Sequence, residues 1–155
     1  MDTDQPRPRW RFNAAYRVTP RLSLGVEYNP AAGEFSPTGN WIAHPETDRW
    51  PLVSVGTSSD RIFTPRGNQA YFVTFAKTVP GTRAAPYVGA SYSEFEDRLV
   101  FPCGLNVSLS PQWDALAMYD GRNSHLLLTH KLKDANVTLL WLRYRQLGVS
   151  LGFGF

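Results

Sequence analysis

Apolar and polar residues alternate with a period of two along most of the chain. Over 21–28 the apolar positions are Leu22, Leu24, Val26 and Tyr28, and small or polar residues lie between them. The same alternation recurs over 100–109 and 149–155. A period of two places successive side chains on opposite faces of a β-strand, so each segment predicts a strand with one apolar face. Gly or Pro interrupts nearly every window that could hold a helix.

Ten strands follow from this alternation and from the turn residues between the segments. Their predicted ranges are 9–18, 21–29, 51–60, 69–79, 85–95, 99–109, 113–120, 124–132, 136–145 and 147–155. A long connection with three prolines is predicted over 30–50, and an additional short strand at 40–44 would exchange the sides of the sheet on which the first connections lie. Because short turns join most of the segments, we predict an all-β antiparallel meander.

The composition fits one domain, and a membrane could be crossed either by helices or by strands. The chain has 155 residues, of which 43% are hydrophobic and 19% charged. We expect a flexible segment over 1–8 and a single domain over 9–155. The longest charge-free stretch, 99–113, is interrupted by Pro and Gly. A membrane helix needs about twenty consecutive apolar residues. Crossing with helices is therefore excluded, whereas crossing with strands is not.

The residues opposite the apolar positions indicate what each face contacts. They are mostly small or polar, for example Ser23, Gly25, Asn106, Ser108 and Ser150. Such residues suit the crowded, hydrated interior of a barrel, and the apolar residues would then meet lipid. Many Tyr and Trp residues fall near predicted strand ends, where interfacial aromatic residues occur. They are Trp10, Tyr16, Tyr28, Trp50, Tyr71, Tyr87, Tyr92, Trp113, Tyr119 and Tyr144. The sequence therefore predicts a closed antiparallel up-and-down transmembrane β-barrel of eight to ten strands, with ten preferred.

The last strand carries a resemblance to a known class of proteins. The segment Gly148–Phe155 alternates apolar residues and ends in Phe. It resembles the C-terminal strand of bacterial outer-membrane β-barrel proteins, with Phe153 and Phe155 at the positions read by the insertion machinery. Ser150 stands where that class usually has Gly. The resemblance implies an even number of strands, both termini in the periplasm, and an export signal that we expect to be absent from this sequence.

The same resemblance sets the expected location and partners. It implies a multi-pass protein of the bacterial outer membrane that contacts the lipid bilayer, lipopolysaccharide and the insertion machinery. The net charge of +3 is spread along the chain without a basic cluster, so we expect no nucleic-acid partner. The expected function is structural, or that of a narrow porin-like pore for small solutes, without a cofactor.

Two other functions compete with this one. Asp120, Ser124 and His125 are candidates for a hydrolase or transferase acting on acyl chains of lipid A or phospholipids. Adjacent strand residues point to opposite faces, however, so Ser124 and His125 also fit a plain hairpin turn. A soluble, lipocalin-like calyx is the second alternative, in which Leu22, Leu24, Val107 and Leu151 would line an apolar cavity.

The remaining candidate sites rest on charged groups and on single residues. Arg61 and Arg66 could contact lipopolysaccharide phosphates, and Glu27, Arg143 and Arg145 could be paired charges in the lumen. His44, His125 and His130 lack the spacing of metal ligands, so no metal is expected. The single cysteine, Cys103, excludes an intramolecular disulfide, and its apolar neighbours suggest that it acts as a small hydrophobic residue.

Overall fold

In the part of the chain that the structure describes, twelve β-strands form one antiparallel sheet. The computed structural model describes residues 11–30, 33–60 and 67–154. The strands are β1 Phe12–Thr19, β2 Leu22–Asn29, β3 Glu34–His44, β4 Leu52–Ser59, β5 Gln69–Ala76, β6 Ala84–Ser93, β7 Arg98–Val100, β8 Cys103–Ser108, β9 Trp113–Tyr119, β10 Ser124–Lys131, β11 Ala135–Leu142 and β12 Gln146–Phe153. The predicted all-β antiparallel meander is confirmed. Nothing in these ranges is a helix of the length and hydropathy needed to cross a membrane.

Each strand pairs with the next one along the chain, with a single break. β7 and β8 both lie along β6 and form one pass that is interrupted at Phe101 and Pro102. Pro102 has no N–H to donate to a ladder, but its carbonyl oxygen accepts a hydrogen bond from the Gly89 N–H over 2.8 Å. The described residues therefore run from one end of the sheet to the other in eleven successive passes, in up-and-down order.

The sheet has more strands than the eight to ten predicted, chiefly because of β3. This strand occupies 34–44, within the connection expected over 30–50. Pro37 argued against a strand there, because proline interrupts a ladder that needs its N–H. Pairing of β3 with β4 begins only at Gly39, so Pro37 lies outside the ladder between these two strands. The long connection is thereby reduced to a short turn before β3 and a loop over 45–51.

The two ends of the strands form two rims. The first rim carries the connections after β2, β4, β6, β9 and β11, and the second rim carries those after β1, β3, β5, β8 and β10. With eleven passes, β1 begins at the first rim and β12 ends at the second rim. This differs from the even-stranded arrangement expected from the resemblance. The predicted flexible segment 1–8 lies outside the described residues.

The register places the alternating apolar positions of successive strands on one face of the sheet. Directly paired residues share a face, and one such line runs from Ala115 through Leu128 and Leu139 to Val149. We call this side the apolar face, and it continues through Leu24, Val26, Val55, Val73, Val88, Leu105, Ala117, Leu126, Val137 and Leu151. The opposite side, the polar face, carries Ser23, Gly25, Glu27, Ser36, Thr38, Ser54, Gly56, Ser58, Ser91, Asn106, Thr138 and Ser150.

Burial shows that the sheet curves with the polar face inside. The residues with the lowest exposed fractions lie on that face, among them Glu27 at 5%, Ser36 at 3% and Ser93 at 3%. The apolar face is open, with Leu151 and Val149 more than half exposed. Sizeable contacts in the described part of the chain occur only between strands that are neighbours in the sheet. The sheet is thus a single curved layer whose hydrophobic side is its outer surface.

Glycines on the polar face make room for larger neighbours. The Tyr87 ring covers Gly104, where an added Cβ would lie 2.6 Å from Tyr87 Cε1. Phe72 covers Gly56 in the same way, at 2.5 Å. Side chains converge on the concave side of a bent sheet, so glycine there permits the curvature. Tyr87 therefore points to the polar, concave face and not to the apolar face, where an interfacial aromatic residue would lie.

Aromatic side chains of the apolar face cluster towards the strand ends. Near the first rim Tyr28 stacks on Phe35, with ring centroids 4.4 Å apart, and near the second rim Trp113 lies 4.4 Å from the His130 ring. Other members are Phe12, Tyr71, Tyr92, Tyr119 and Trp141 towards the first rim, and Trp41, Phe75 and Phe153 towards the second. Aliphatic residues and alanines fill the middle. Of the predicted interface residues, Tyr16 lies mid-strand, Trp50 and Tyr144 lie in connections, and Trp10 is outside the described residues.

The pairing partners shift steadily along the strands from one edge of the sheet to the other. A line of direct partners runs from Tyr16, in the middle of β1, through Tyr92 to Leu99 at the first-rim end of β7. The last residue of β9, Tyr119, pairs with Cys103. β9 therefore lies wholly on the second-rim side of that line. Strands that are tilted as in a barrel produce such a stagger.

Candidate functional site

A network of charged and hydroxyl side chains lines the first rim on the polar face. Its first member is Glu27, which is almost fully buried and forms an ion pair with Arg11. The other carboxylate oxygen of Glu27 accepts a hydrogen bond from Ser59 Oγ over 2.6 Å. A buried charge is tolerated when it is paired and hydrogen-bonded in this way. Glu27, a predicted lumen charge, therefore lies on the concave side and joins β1, β2 and β4.

The next members join the end of β4 to the end of β6. Ser93 Oγ donates to Asp60 Oδ2 over 2.6 Å, and the Phe95 N–H donates to the same oxygen over 3.0 Å. The Glu96 N–H donates to Ser93 Oγ over 3.1 Å. The Glu96 carboxylate in turn pairs with Arg98 over 2.6 Å and with Arg122 from the next connection. These contacts fix the turn over 94–97 against its neighbours on both sides.

The turn between β9 and β10 is built around Asp120. Its Oδ1 accepts hydrogen bonds from the N–H groups of Arg122, over 2.8 Å, and Asn123, over 2.7 Å. Gly121 has a φ of 93°, which favours glycine, and a Cβ there would lie 2.7 Å from Val100 Cβ. Aspartate at the first position of such a turn satisfies backbone donors that would otherwise lack partners. The segment 120–123 is therefore a side-chain-stabilised hairpin turn.

His125 connects this turn to the one between β11 and β12. Its Nδ1 accepts the Arg143 N–H over 3.2 Å, and its Nε2 lies 2.9 Å from Asp120 Oδ2. A backbone N–H can only donate, so Nδ1 must accept and the ring proton of the neutral imidazole is assigned to Nε2. Both ring nitrogens are thus engaged in holding the two turns together.

The three catalytic candidates are not assembled as a nucleophile with its base. Asp120 and His125 are in contact, but Ser124 pairs with Tyr119 on the apolar face while His125 pairs with Met118 on the polar face. A base must lie within hydrogen-bond reach of its nucleophile. The geometry of Asp120 and His125 is that of a structural link between turns.

The other candidate residues lie at the rims or outside the residues that the structure describes. Arg143 and Arg145 lie in the turn before β12, and Arg143 and Tyr144 have φ values of 55° and 54°. Phe153 ends β12 with its side chain exposed on the apolar face. Arg61, Arg66 and Phe155 lie outside the described residues. Cys103 is exposed on the apolar face, between its partners Val88 and Tyr119.

No metal centre is formed in the ranges that the structure describes. They contain no group of three His, Cys, Asp or Glu side chains placed to hold an ion. His44 and His125 lie at opposite rims, and His130 lies against Trp113 on the apolar face. The histidines therefore have separate surroundings.

The polar face contains one apolar cluster that the alternation did not predict. Leu116, Leu127 and Leu140 are direct partners on β9, β10 and β11, and all three point to the polar face. We call them the inner leucines. The sequence does signal this cluster: in the runs Leu126–Leu128 and Leu139–Leu142 successive residues are apolar, and strict alternation ends there. Such runs mark strands that have apolar surroundings on both faces.

Comparison with known proteins adds no relative: no family model matches the chain, and neither the curated proteins nor the solved structures contain a significant match.

The link at Asp120 predicts a stability that depends on pH. Partial burial raises the pKa of this carboxyl, but the hydrogen bonds from His125, Asn123 and Arg122 outweigh it and hold the pKa below its ordinary value. The stabilisation is present above the ordinary aspartate pKa and is lost as the pH falls through the lower folded pKa. At pH 7, we expect Asp120→Asn to reduce the free energy of unfolding by about 1 kcal/mol, allowing for its partial exposure.

Denaturant unfolding of the two proteins, repeated from pH 7 to pH 2, checks this expectation. The difference between them should vanish in acid. Asp134→Asn, in the turn before β11 at the other rim, serves as the control and should have little effect throughout. A difference that persists unchanged at the lowest pH would contradict the assignment.

Proposed function

We propose that the protein is an integral β-barrel of the bacterial outer membrane, with a structural role or that of a narrow pore for small solutes. One observation carries the proposal: the apolar face is the exposed, convex face along the sheet. A soluble sheet protein covers its hydrophobic face with a second layer. Here the described strands contact only their neighbours in the sheet, so the apolar face needs an apolar solvent.

The distribution of side chains on that face supports lipid as the solvent. Burial of apolar surface is worth about 25 cal/mol per Å², and large side chains such as Leu147 and Leu151 are mostly exposed. Aliphatic residues in the middle and aromatic residues towards both rims match the hydrocarbon core and the two interfaces of a bilayer. Strands of about eight residues approach the length needed to cross a bilayer, and that membrane has a thinner hydrocarbon layer than average.

Closure of the sheet follows from the same proposal. In hydrocarbon every backbone N–H and C=O needs a protein partner, so a membrane sheet cannot keep open edges. The two edge strands are β1 and β12, and both run from the first rim to the second. If they pair directly, they do so in parallel and give a barrel with an odd number of passes. The stagger of the paired residues supports such a closure.

The orientation and the partners are part of the proposal. The resemblance of the last strand to outer-membrane barrels puts the second rim, where Phe153 lies, on the periplasmic side and the first rim outside. The chain between the ends of β4 and β5 at that outer rim contains Arg61 and Arg66, which suit lipopolysaccharide phosphates. Phe153 and Phe155 would serve recognition by the insertion machinery.

The two alternative functions receive less support from the geometry. An acyl hydrolase or transferase would need Ser124 and His125 on one face, and they lie on opposite faces. An apolar calyx would need Leu22, Leu24, Val107 and Leu151 on the concave side. Leu24 and Leu151 are exposed on the convex side, and Leu22 and Val107 share their face.

Arginine substitutions at two adjacent positions of β8 test the membrane proposal. Leu105 points to the apolar face and Asn106 to the polar face. We expect Leu105→Arg to destabilise the bilayer-inserted protein by about 2–4 kcal/mol, because it places a charge in hydrocarbon, and Asn106→Arg to cost less because it places the charge in a hydrated interior. The measurement is the fraction of refolded protein in lipid vesicles that shows heat-modifiable migration in detergent gels. Equal effects, or a soluble folded protein without detergent, would contradict the proposal.

Cysteine pairs test the closure. In a Cys103→Ser background, Ala14→Cys in β1 is combined in turn with Leu147→Cys, Val149→Cys or Leu151→Cys in β12, all on the apolar face. We expect one combination to form an intrachain disulfide on oxidation in vesicles, since parallel pairing brings one of these residues beside Ala14. The Ala117→Cys, Leu126→Cys pair, on strands that are already partners, is the positive control. If the control cross-links and all three combinations fail, direct pairing of β1 with β12 is wrong.

A further inference from the structure

The inner leucines lie at mid-height of a face that carries mostly small or polar residues. Leu116, Leu127 and Leu140 occupy the middle of three adjacent strands and are all partly buried. Direct partners on one face have Cβ atoms about 5 Å apart, so the three side chains form one continuous apolar patch. A patch of this kind on the concave side is not needed for contact with lipid.

A polar row borders this patch towards the second rim. There Thr129 and Thr138 share a hydrogen bond of 2.9 Å, and Asp114 pairs with Lys131 and accepts from Ser108 Oγ over 2.8 Å. Towards the first rim, Met118 and Leu142 extend the patch on either side of His125, which is linked to Asp120. Along the direction of these strands the interior is therefore polar near the second rim and apolar at mid-height, and it becomes polar again only at the first-rim turns.

The wall that would face the inner leucines combines small and apolar residues. With eleven passes in a closed ring, β10 lies opposite the boundary between β3 and β4. The polar face of those strands presents Ser54 and Gly56, whose partners on β3 are Ile42 and Asn40, and the Phe72 ring of β5 covers Gly56. The opposite wall therefore also carries apolar side chains. An eight-stranded barrel is filled by its side chains and porins of sixteen strands hold an aqueous channel, so eleven passes leave a narrow gap.

We propose that the inner leucines form a hydrophobic constriction that keeps ions out of the barrel lumen. The inference rests on the barrel proposed above. A narrow gap between apolar side chains expels water, and an ion that entered it would lose its hydration without gaining a polar partner. Polar groups towards both rims admit water as far as this apolar patch, and the patch interrupts the water column between them.

Two neighbouring leucines of β10 provide a matched pair for the test. Leu127 points to the polar face, and Leu128 points to the apolar face, where it pairs with Ala115 and Leu139. Purified protein is inserted into planar bilayers bathed in potassium chloride. We expect the wild type and Leu128→Ser to pass no ion current above that of the bare bilayer. Leu127→Ser combined with Leu140→Ser should raise the current at least tenfold, because hydroxyl groups let water fill the constriction.

Each outcome bears on the proposal separately from the barrel itself. A wild-type protein that conducts as well as the double variant would overturn the role of the leucines, and so would a double variant that stays closed although its gel migration is heat-modifiable. If neither protein shows heat-modifiable migration in vesicles, the barrel fails, and the constriction fails with it. A current in Leu128→Ser equal to that of the double variant would also overturn the proposal, since that side chain lies on the outer face.

Discussion

The fold depends on one constraint, the register that keeps paired residues on a common face from β1 to β12, with shifts at the second-rim ends of β1 and β3. Because each β-strand alternates its side chains, a shift by one residue in any pairing would exchange the two faces of every later strand. The register of this sheet avoids that exchange even at the break between β7 and β8, where Leu99 and Cys103 both continue the apolar face. One face of the described sheet is therefore predominantly hydrophobic from β1 to β12.

Curvature and the polar network follow from this constraint. Since the hydrophobic side chains are outside, the concave side must hold the polar residues, and it has little room for them. Glycine opposite Phe72 and Tyr87 relieves the crowding, and the charges that remain inside, such as Glu27, are paired. At the first rim the same pairing extends from Asp60 to His125 and ties successive turns together. The interior groups thus stabilise the sheet without a conventional hydrophobic core.

Alternation made most of this fold predictable, and the exceptions have physical causes. The ten segments chosen from the pattern all form strands, and Ser124 and His125 fall on opposite faces as expected. Of β3 only the part over 40–44 was considered, as an additional strand, because Pro37 and Gly39 normally interrupt strands. Whether such residues meet a pairing partner is a property of the neighbouring strand. The inner leucines were missed because a run of apolar residues does not show which member points inward. The rim contacts of Asp120 with His125, and of His125 with Arg143, depend on turn geometry and on residues far apart in the chain.

The central claim, that the apolar face meets lipid, is tested most directly by scanning β12 with a spin label in lipid vesicles. A nitroxide is attached in turn to single cysteines at 147–152 in a Cys103→Ser background, and its collision rates with oxygen and with a water-soluble nickel complex are measured. Positions 147, 149 and 151 belong to the apolar face and 148, 150 and 152 to the polar face. The account predicts oxygen maxima at the odd positions and nickel maxima at the even ones. Accessibility without this period of two, or with the opposite phase, would contradict it.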